Sequence, residues 1–169
     1  KVALVMASSR GLGQAMAVSL AREGVKVAVT GRNPEGLKKS VELIAGFIDE
    51  IIKQYPIDAK NVTLIGFSQG AILSYATALT YPEKISKVVA LSGYFNQEIL
   101  PEVIDTKAIS HLKFFVSHGS VDQVIPVDWA RKAKPALENL GLEVEYQEYP
   151  IGHGVSPKNF FDFKNWLQR

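Results

Sequence analysis

The chain has 169 residues, of which 47% are hydrophobic, and this is the size of one domain with one sizeable core. Its 19 basic and 17 acidic residues are spread along the chain with a formal net charge of +2, so no charged block predicts a nucleic-acid or membrane partner. The absence of cysteine excludes disulfides, thiolate metal sites and cysteine nucleophiles, and no other metal site is predicted.

Short apolar runs alternate with longer stretches of helical period along the whole chain. The runs predict six strands, at Val2–Ala7, Val25–Thr30, Val62–Ile65, Val88–Leu91, Phe114–Ser117 and Val144–Tyr149. The stretches between them predict five helices, at Leu12–Glu23, Pro34–Gln54, Gln69–Tyr81, Val127–Leu140 and Pro157–Leu167. This alternation predicts an α/β fold for residues 1–169: a single-domain, doubly wound three-layer sandwich around a mainly parallel six-stranded sheet.

Two other segments carry expectations about order and location. The stretch from Tyr94 to His111 has little periodicity, which is typical of a rim loop over a site or of a loosely ordered segment. The opening KVALVMA is too short for a signal peptide or a membrane span. We therefore expect a soluble, cytoplasmic protein, either a monomer or a weak homodimer that pairs through the edge strand Val25–Thr30.

The segment LIGFSQGAIL, residues 64–73, contains the pattern GxSxG. A predicted strand precedes the pattern and a predicted helix follows it, which is the setting that a nucleophile elbow requires. Gly66 and Gly70 leave room for the strained turn that lifts a serine hydroxyl above the sheet edge. The sequence therefore predicts Ser68 as a nucleophile.

A serine nucleophile needs a base, and the base needs a group that orients it. Asp122, in SHGSVDQVIP, follows the fifth predicted strand, and His153, in YPIGHGVSP, follows the sixth. Both are therefore expected at the same sheet edge as Ser68, in the chain order Ser, Asp, His.

Simpler interpretations of these residues stay open at this point. Ser68 and His153 are also compatible with an ordinary turn serine and a loop histidine. Asp105 and Asp128 compete with Asp122, although Asp128 fits better in the first turn of a helix after a proline. The other two histidines, His111 and His118, are interpreted as structural, His118 through the tight HG turn before Asp122.

The C-terminal part of the chain, about residues 36–169, resembles the carboxylesterase, phospholipase and acyl-protein thioesterase branch of the α/β-hydrolases. The resemblance rests on GFSQGA (66–71), ALSGY (90–94), HGSVDQVIP (118–126) and GHGVSP (152–157). It implies hydrolysis of ester or thioester bonds through an acyl-enzyme, with Ser68 as nucleophile, His153 as general base and then acid, and Asp122 as its orienter. It also implies that the backbone N–H of Gln69 is an oxyanion donor.

The N-terminal segment VMASSRGLGQAMAVSLAREGVKVAVTGRN resembles the start of a short-chain dehydrogenase/reductase. That resemblance implies a Rossmann-like turn in which Gly11 and Gly13 approach a dinucleotide pyrophosphate, with Arg10 and Arg32 near a 2′-phosphate, and hence NADP. The first glycine of the motif is replaced by Ala7, and the family's YxxxK pair is absent, which excludes a dehydrogenase. The alternative is a tight turn kept for packing.

These two resemblances predict a chimera, with a Rossmann-like segment 1–35 joined to a hydrolase-like segment 36–169 in the flavodoxin-like strand order 2-1-3-4-5-6. The abrupt change of pattern and the start at Lys1 favour an engineered scaffold with no evolved function and weak residual carboxylesterase activity. Whether it is an enzyme at all stays open, because the HG-containing oxyanion loop expected before the elbow is missing, which costs on the order of 100- to 1,000-fold in turnover. Small esters are the expected substrates, and no cofactor is required. The alternative is an NADP- or phosphate-binding module without dehydrogenase activity.

Overall fold

The computed structural model describes residues 2–5, 26–29 and 34–169, with side chains from Gly36 onward. The chain divides into two compact units, Lys1–Tyr55 and Pro56–Arg169. The prediction of one domain is not tested by this division and stays a prediction.

The first unit contains two strands and a long helix. Strands β1 (Val2–Val5) and β2 (Lys26–Val29) pair in parallel, with Val2 opposite Lys26. Helix α1 (Pro34–Gln54) has the predicted bounds. Its apolar residues recur at helical spacing, so they form one buried stripe: Leu37, Val41, Ile44, Ala45 and Ile48.

The second unit is built on a four-stranded parallel sheet in which chain order and spatial order coincide. Its strands are β3 (Thr63–Phe67), β4 (Lys87–Leu91), β5 (Lys113–Gly119) and β6 (Glu143–Tyr149). Parallel strands bring their carboxyl ends to one edge of the sheet, so the loops that follow β3, β4, β5 and β6 meet there.

Helices lie on both faces of this sheet: α2 (Gln69–Thr80), α3 (Thr106–Ile109), α4 (Val127–Arg131), α5 (Ala133–Glu138) and α6 (Pro157–Leu167). Tyr75 of α2 stacks on Phe114, while Phe163 and Trp166 of α6 contact the next residue, Phe115. Successive residues of a strand point to opposite faces, so α2 and α6 cover opposite faces of the sheet. The α/β fold with a parallel sheet is thereby confirmed.

The predicted six-stranded sheet is not confirmed. Within residues 2–5, 26–29 and 34–169, the strands form one four-stranded and one two-stranded sheet. The order 2-1-3-4-5-6 stays a prediction, and the predicted helix Leu12–Glu23 lies outside the described residues.

Two predicted elements of the second unit need correction. The helix predicted at Val127–Leu140 is two helices, α4 and α5, separated at Lys132. Pro135 explains the break, because it has no N–H to donate and its ring crowds the carbonyl of Arg131. The stretch predicted as irregular, Tyr94 to His111, contains a 3₁₀ turn at Gln97–Ile99 and the short helix α3, and it buries Ile99 and Ile109.

In the part of the chain that the structure describes, no helix has the length and apolar character needed to cross a bilayer.

Candidate active site

Ser68 occupies a sharp turn between β3 and α2. Its backbone has φ 55° and ψ −119°, a conformation that costs a non-glycine residue on the order of 1–3 kcal/mol and is typical of functional turns. Backbone hydrogen bonds hold the turn: the Ser68 N–H donates to the carbonyl of Leu91 at 2.8 Å, and the Ser68 carbonyl accepts from the N–H of Ala71 at 3.0 Å. The sheet therefore supports the strained residue directly.

The backbone of this turn packs so closely against position 66 that only glycine fits there. A Cβ placed on Gly66 would lie 2.2 Å from the carbonyl oxygen of Gly70. That atom belongs to the backbone, so it cannot move aside without opening the turn. The two glycines of the GxSxG pattern are thus packed against each other.

We expect Gly66→Ala to destabilise the protein by about 1–3 kcal/mol, as overpacking in a rigid core does. Thermal and urea unfolding of the variant and of Gly46→Ala will measure the effect. Gly46 is the matched control because a Cβ there meets nothing within 4 Å and the change favours α1. Equal stability of the Gly66→Ala variant and the parent would contradict the close approach.

Ser68, His153 and Asp122 form a continuous hydrogen-bonded chain. The Nε2 atom of His153 lies 3.0 Å from Ser68 Oγ, and its Nδ1 atom lies 2.7 Å from Asp122 Oδ2. An ionised carboxylate only accepts, so Nδ1 carries the ring proton, and Nε2 of the neutral ring is left to accept the hydroxyl proton of Ser68. This is the geometry that general-base activation of a serine requires.

The carboxyl group of Asp122 is buried and held ionised. Burial raises its pKa, but the N–H of Ile125, the ring of His153 and the N–H of Val124 all hydrogen-bond the charged form and together bring the pKa below its ordinary value. The two backbone N–H groups reach Oδ1 at 3.0 and 2.8 Å, which leaves Oδ2 for His153. Asp122 is therefore a fixed negative charge at neutral pH.

The loops that carry Asp122 and His153 are joined by backbone contacts. The N–H of Val121 donates to the carbonyl of Ile151 at 3.2 Å, and a Cβ on Gly119 would lie 2.2 Å from the carbonyl oxygen of Gly152. The hydroxyl of Ser92, at the end of β4, donates to the carbonyl of Gly154 at 3.2 Å. The loop of His153 is thus anchored on both sides.

The structure brings three of the predicted catalytic residues together and places the fourth beside them. Gln69 is the first residue of α2, so its backbone N–H lies at the positive end of that helix. The predicted cofactor-binding residues, Arg10, Gly11, Gly13 and Arg32, lie outside the described residues.

The residues that competed for the site have other contacts. Asp128 pairs with Arg131 at 2.8 Å on the surface, and Asp105 caps α3. His111 contacts the carbonyls of Pro82 and Ile85, each at 3.0 Å, as expected of a structural histidine. Sequence reasoning missed two contacts at the site: that of Ser92 with the His153 loop, and that of His118 with Asp122. Ser92 lies in the motif ALSGY, and His118 lies in the motif HGSVDQVIP.

The parallel sheet, with Ser68, His153 and Asp122 on the loops at the carboxyl ends of its strands, defines a fold of the α/β-hydrolase class. The chain belongs to the phospholipase/carboxylesterase family, which matches residues 25–169. Acyl-protein thioesterase 1 of Debaryomyces hansenii is 32% identical over 136 residues, and that of Kluyveromyces lactis is 37% identical over 140. These matches cover 79% and 80% of this chain, and 58% and 60% of the relatives. The chain thus spans little more than half the length of these relatives.

Solved structures show a similar fold. Arabidopsis thaliana SOBER1 has a TM-score of 0.66 at 25% identity, with 81% of this chain and 65% of that chain covered. The carboxylesterase from Mesorhizobium loti has a TM-score of 0.73 at 17% identity, with 99% and 87% covered, and shows similarity of fold alone.

These comparisons support the hydrolase-like part of the sequence prediction and correct its boundary. The family match begins at residue 25 and so includes β2, whereas the hydrolase-like segment was expected to begin at residue 36. Nothing in the comparisons supports a reductase-like segment, a chimeric or engineered origin, or the NADP-binding alternative.

Proposed function

We propose that this chain is a serine hydrolase that cleaves carboxylic esters through an acyl-enzyme on Ser68. The observation that carries the proposal is the position of His153, whose two ring nitrogens bridge Ser68 Oγ and Asp122 Oδ2 at 3.0 and 2.7 Å.

The reaction follows from this geometry in two steps. As Ser68 Oγ attacks the ester carbonyl, its proton passes to His153 Nε2, and Asp122 stabilises the imidazolium that forms. The Gln69 N–H, at the start of α2, is the proposed donor to the developing oxyanion. His153 then gives the proton to the leaving alcohol. A water molecule releases the acid in the second step, with His153 again as base.

The substrate class is proposed from the chemistry shared by the relatives. Their names describe acyl-protein thioesterases and carboxylesterases, and both groups of enzymes act on an acyl carbon with an oxygen or sulfur leaving group. Small activated esters, whose leaving groups need little help, are therefore the proposed substrates.

The proposal does not depend on the order of a six-stranded sheet or on a chimeric origin. All of the side chains it invokes lie in the unit Pro56–Arg169.

Covalent labelling tests the nucleophile without requiring fast turnover. We expect a fluorophosphonate to add once to the folded protein, at Ser68 in peptide mass spectrometry, because the probe reacts with a serine activated by a neighbouring base. The Ser68→Ala variant and the heat-unfolded parent should remain unlabelled. A folded parent that stays unlabelled, or is labelled equally in the Ser68→Ala variant, would contradict the proposal.

A further inference from the structure

His118 lies against Asp122, next to the same carboxylate oxygen, Oδ2, that contacts His153. It is the sixth residue of β5 and is 1% exposed. It is not one of the three hydrogen-bonded residues Ser68, His153 and Asp122. Its Nε2 atom lies 2.9 Å from the carbonyl oxygen of Ile125 and 3.2 Å from Asp122 Oδ2.

The chemistry of these neighbours fixes the proton of His118. A carbonyl oxygen and a carboxylate oxygen both accept, so Nε2 must carry a hydrogen. That N–H donates to Ile125, and the same Nε2 atom lies 3.2 Å from Asp122 Oδ2. Nδ1, on the other side of the ring, has no hydrogen-bond partner among the described residues.

Ile125 connects the two contacts of His118. Its carbonyl accepts from His118, and its N–H donates to Asp122 Oδ1 at 3.0 Å. His118 therefore acts on both oxygens of the carboxylate, on Oδ2 directly and on Oδ1 through the Ile125 peptide. Because His118 belongs to a central strand, it ties a carboxylate carried by a loop to the rigid sheet.

We infer that His118 is a positioning residue for the proposed reaction: its Nε2–H holds Asp122 and the loop up to Ile125 so that Oδ2 is directed at His153 Nδ1. This inference rests on the proposed function for its effect on rate. His118 is thus a second histidine at the site, and it acts through Asp122 without touching the nucleophile or the substrate.

A matched pair of amide substitutions tests the role of the Nε2–H. In His118→Gln the side-chain amide reaches the position of Nε2 and keeps a donor there, whereas in His118→Asn the amide is one bond shorter and does not. We expect kcat for p-nitrophenyl butyrate to fall by roughly 10- to 100-fold in His118→Asn with little change in KM, since about 1 Å of misplacement has an effect of this size. His118→Gln should recover most of the loss. His118→Phe, which keeps a ring without a donor, should behave like His118→Asn if it folds.

A proton spectrum gives a readout that does not depend on turnover. The Nδ1 proton of His153 should give a low-field resonance in the parent and in His118→Gln, which broadens or disappears in His118→Asn. If the parent has no Ser68-dependent hydrolysis, the proposed function fails and this resonance alone decides the role of His118. An unchanged kcat and resonance in His118→Asn would overturn the inference, as would an equal impairment of both amide variants.

Discussion

Replacing Ser68 by alanine is expected to abolish hydrolysis of p-nitrophenyl butyrate above the rate of the buffer. Removing the nucleophile of a triad costs up to about 10⁶-fold in an efficient enzyme, and what remains comes from the oxyanion donors and from binding. The measured difference is therefore limited by how far the parent rate lies above the rate of the buffer.

The matched control for this experiment is Ser86→Ala. The hydroxyl of Ser86 donates to the carbonyl of Val62 at 3.1 Å, just before β4 begins and so at the amino edge of the sheet. It lies on the opposite edge from the site, so we expect an unchanged rate. Hydrolysis that survives in Ser68→Ala would show that another group does the chemistry. If the parent and the Ser68→Ala variant are equally inert and both unfold cooperatively, GFSQG is a structural turn and not a nucleophile elbow.

How far the sequence predicted this site depends on how local each signal is. The elbow was predictable because its parts are contiguous: a strand, two glycines around a serine, and a helix. Asp122 and His153 were predictable because each directly follows a strand, and parallel strands end at one edge. Their mutual distance of 2.7 Å is a consequence of loop packing that no spacing in the sequence encodes.

Of the two contacts that were missed, one joins segments far apart in the chain and the other joins residues only four apart. Ser92 and Gly154 are 62 residues apart, and nothing near either position indicates their hydrogen bond. His118 was interpreted from its own HG turn, although its neighbour in space is the carboxylate four residues later. The break between α4 and α5 shows a different error, since Pro135 is visible in the sequence and the helix was nevertheless predicted to run through it.

Asp122→Asn is the second large effect that we expect, with kcat reduced on the order of 10³- to 10⁴-fold in a variant that still folds. The introduced amide keeps one acceptor oxygen, and the N–H groups of Val124 and Ile125 will hold that oxygen where Oδ1 now lies. The amide nitrogen must then take the place of Oδ2. It donates to His153 Nδ1, so the ring proton moves to Nε2, and a protonated Nε2 cannot accept the proton of Ser68.

The Asp122→Asn substitution distinguishes two roles for Asp122: it either orients the base His153 or acts only as a nearby negative charge. Asp128→Asn is the control, because it also removes one carboxylate charge, but from a surface pair with Arg131. If Asp122 acted only through long-range charge, the two variants would differ modestly. The amide nitrogen introduced at position 122 presents a donor to His153 and also to the Nε2–H of His118, and Asp128→Asn changes neither contact. We therefore expect the loss of kcat in Asp122→Asn only. An activity within about tenfold of the parent in that variant would mean that His153 does not depend on Asp122 for its tautomer.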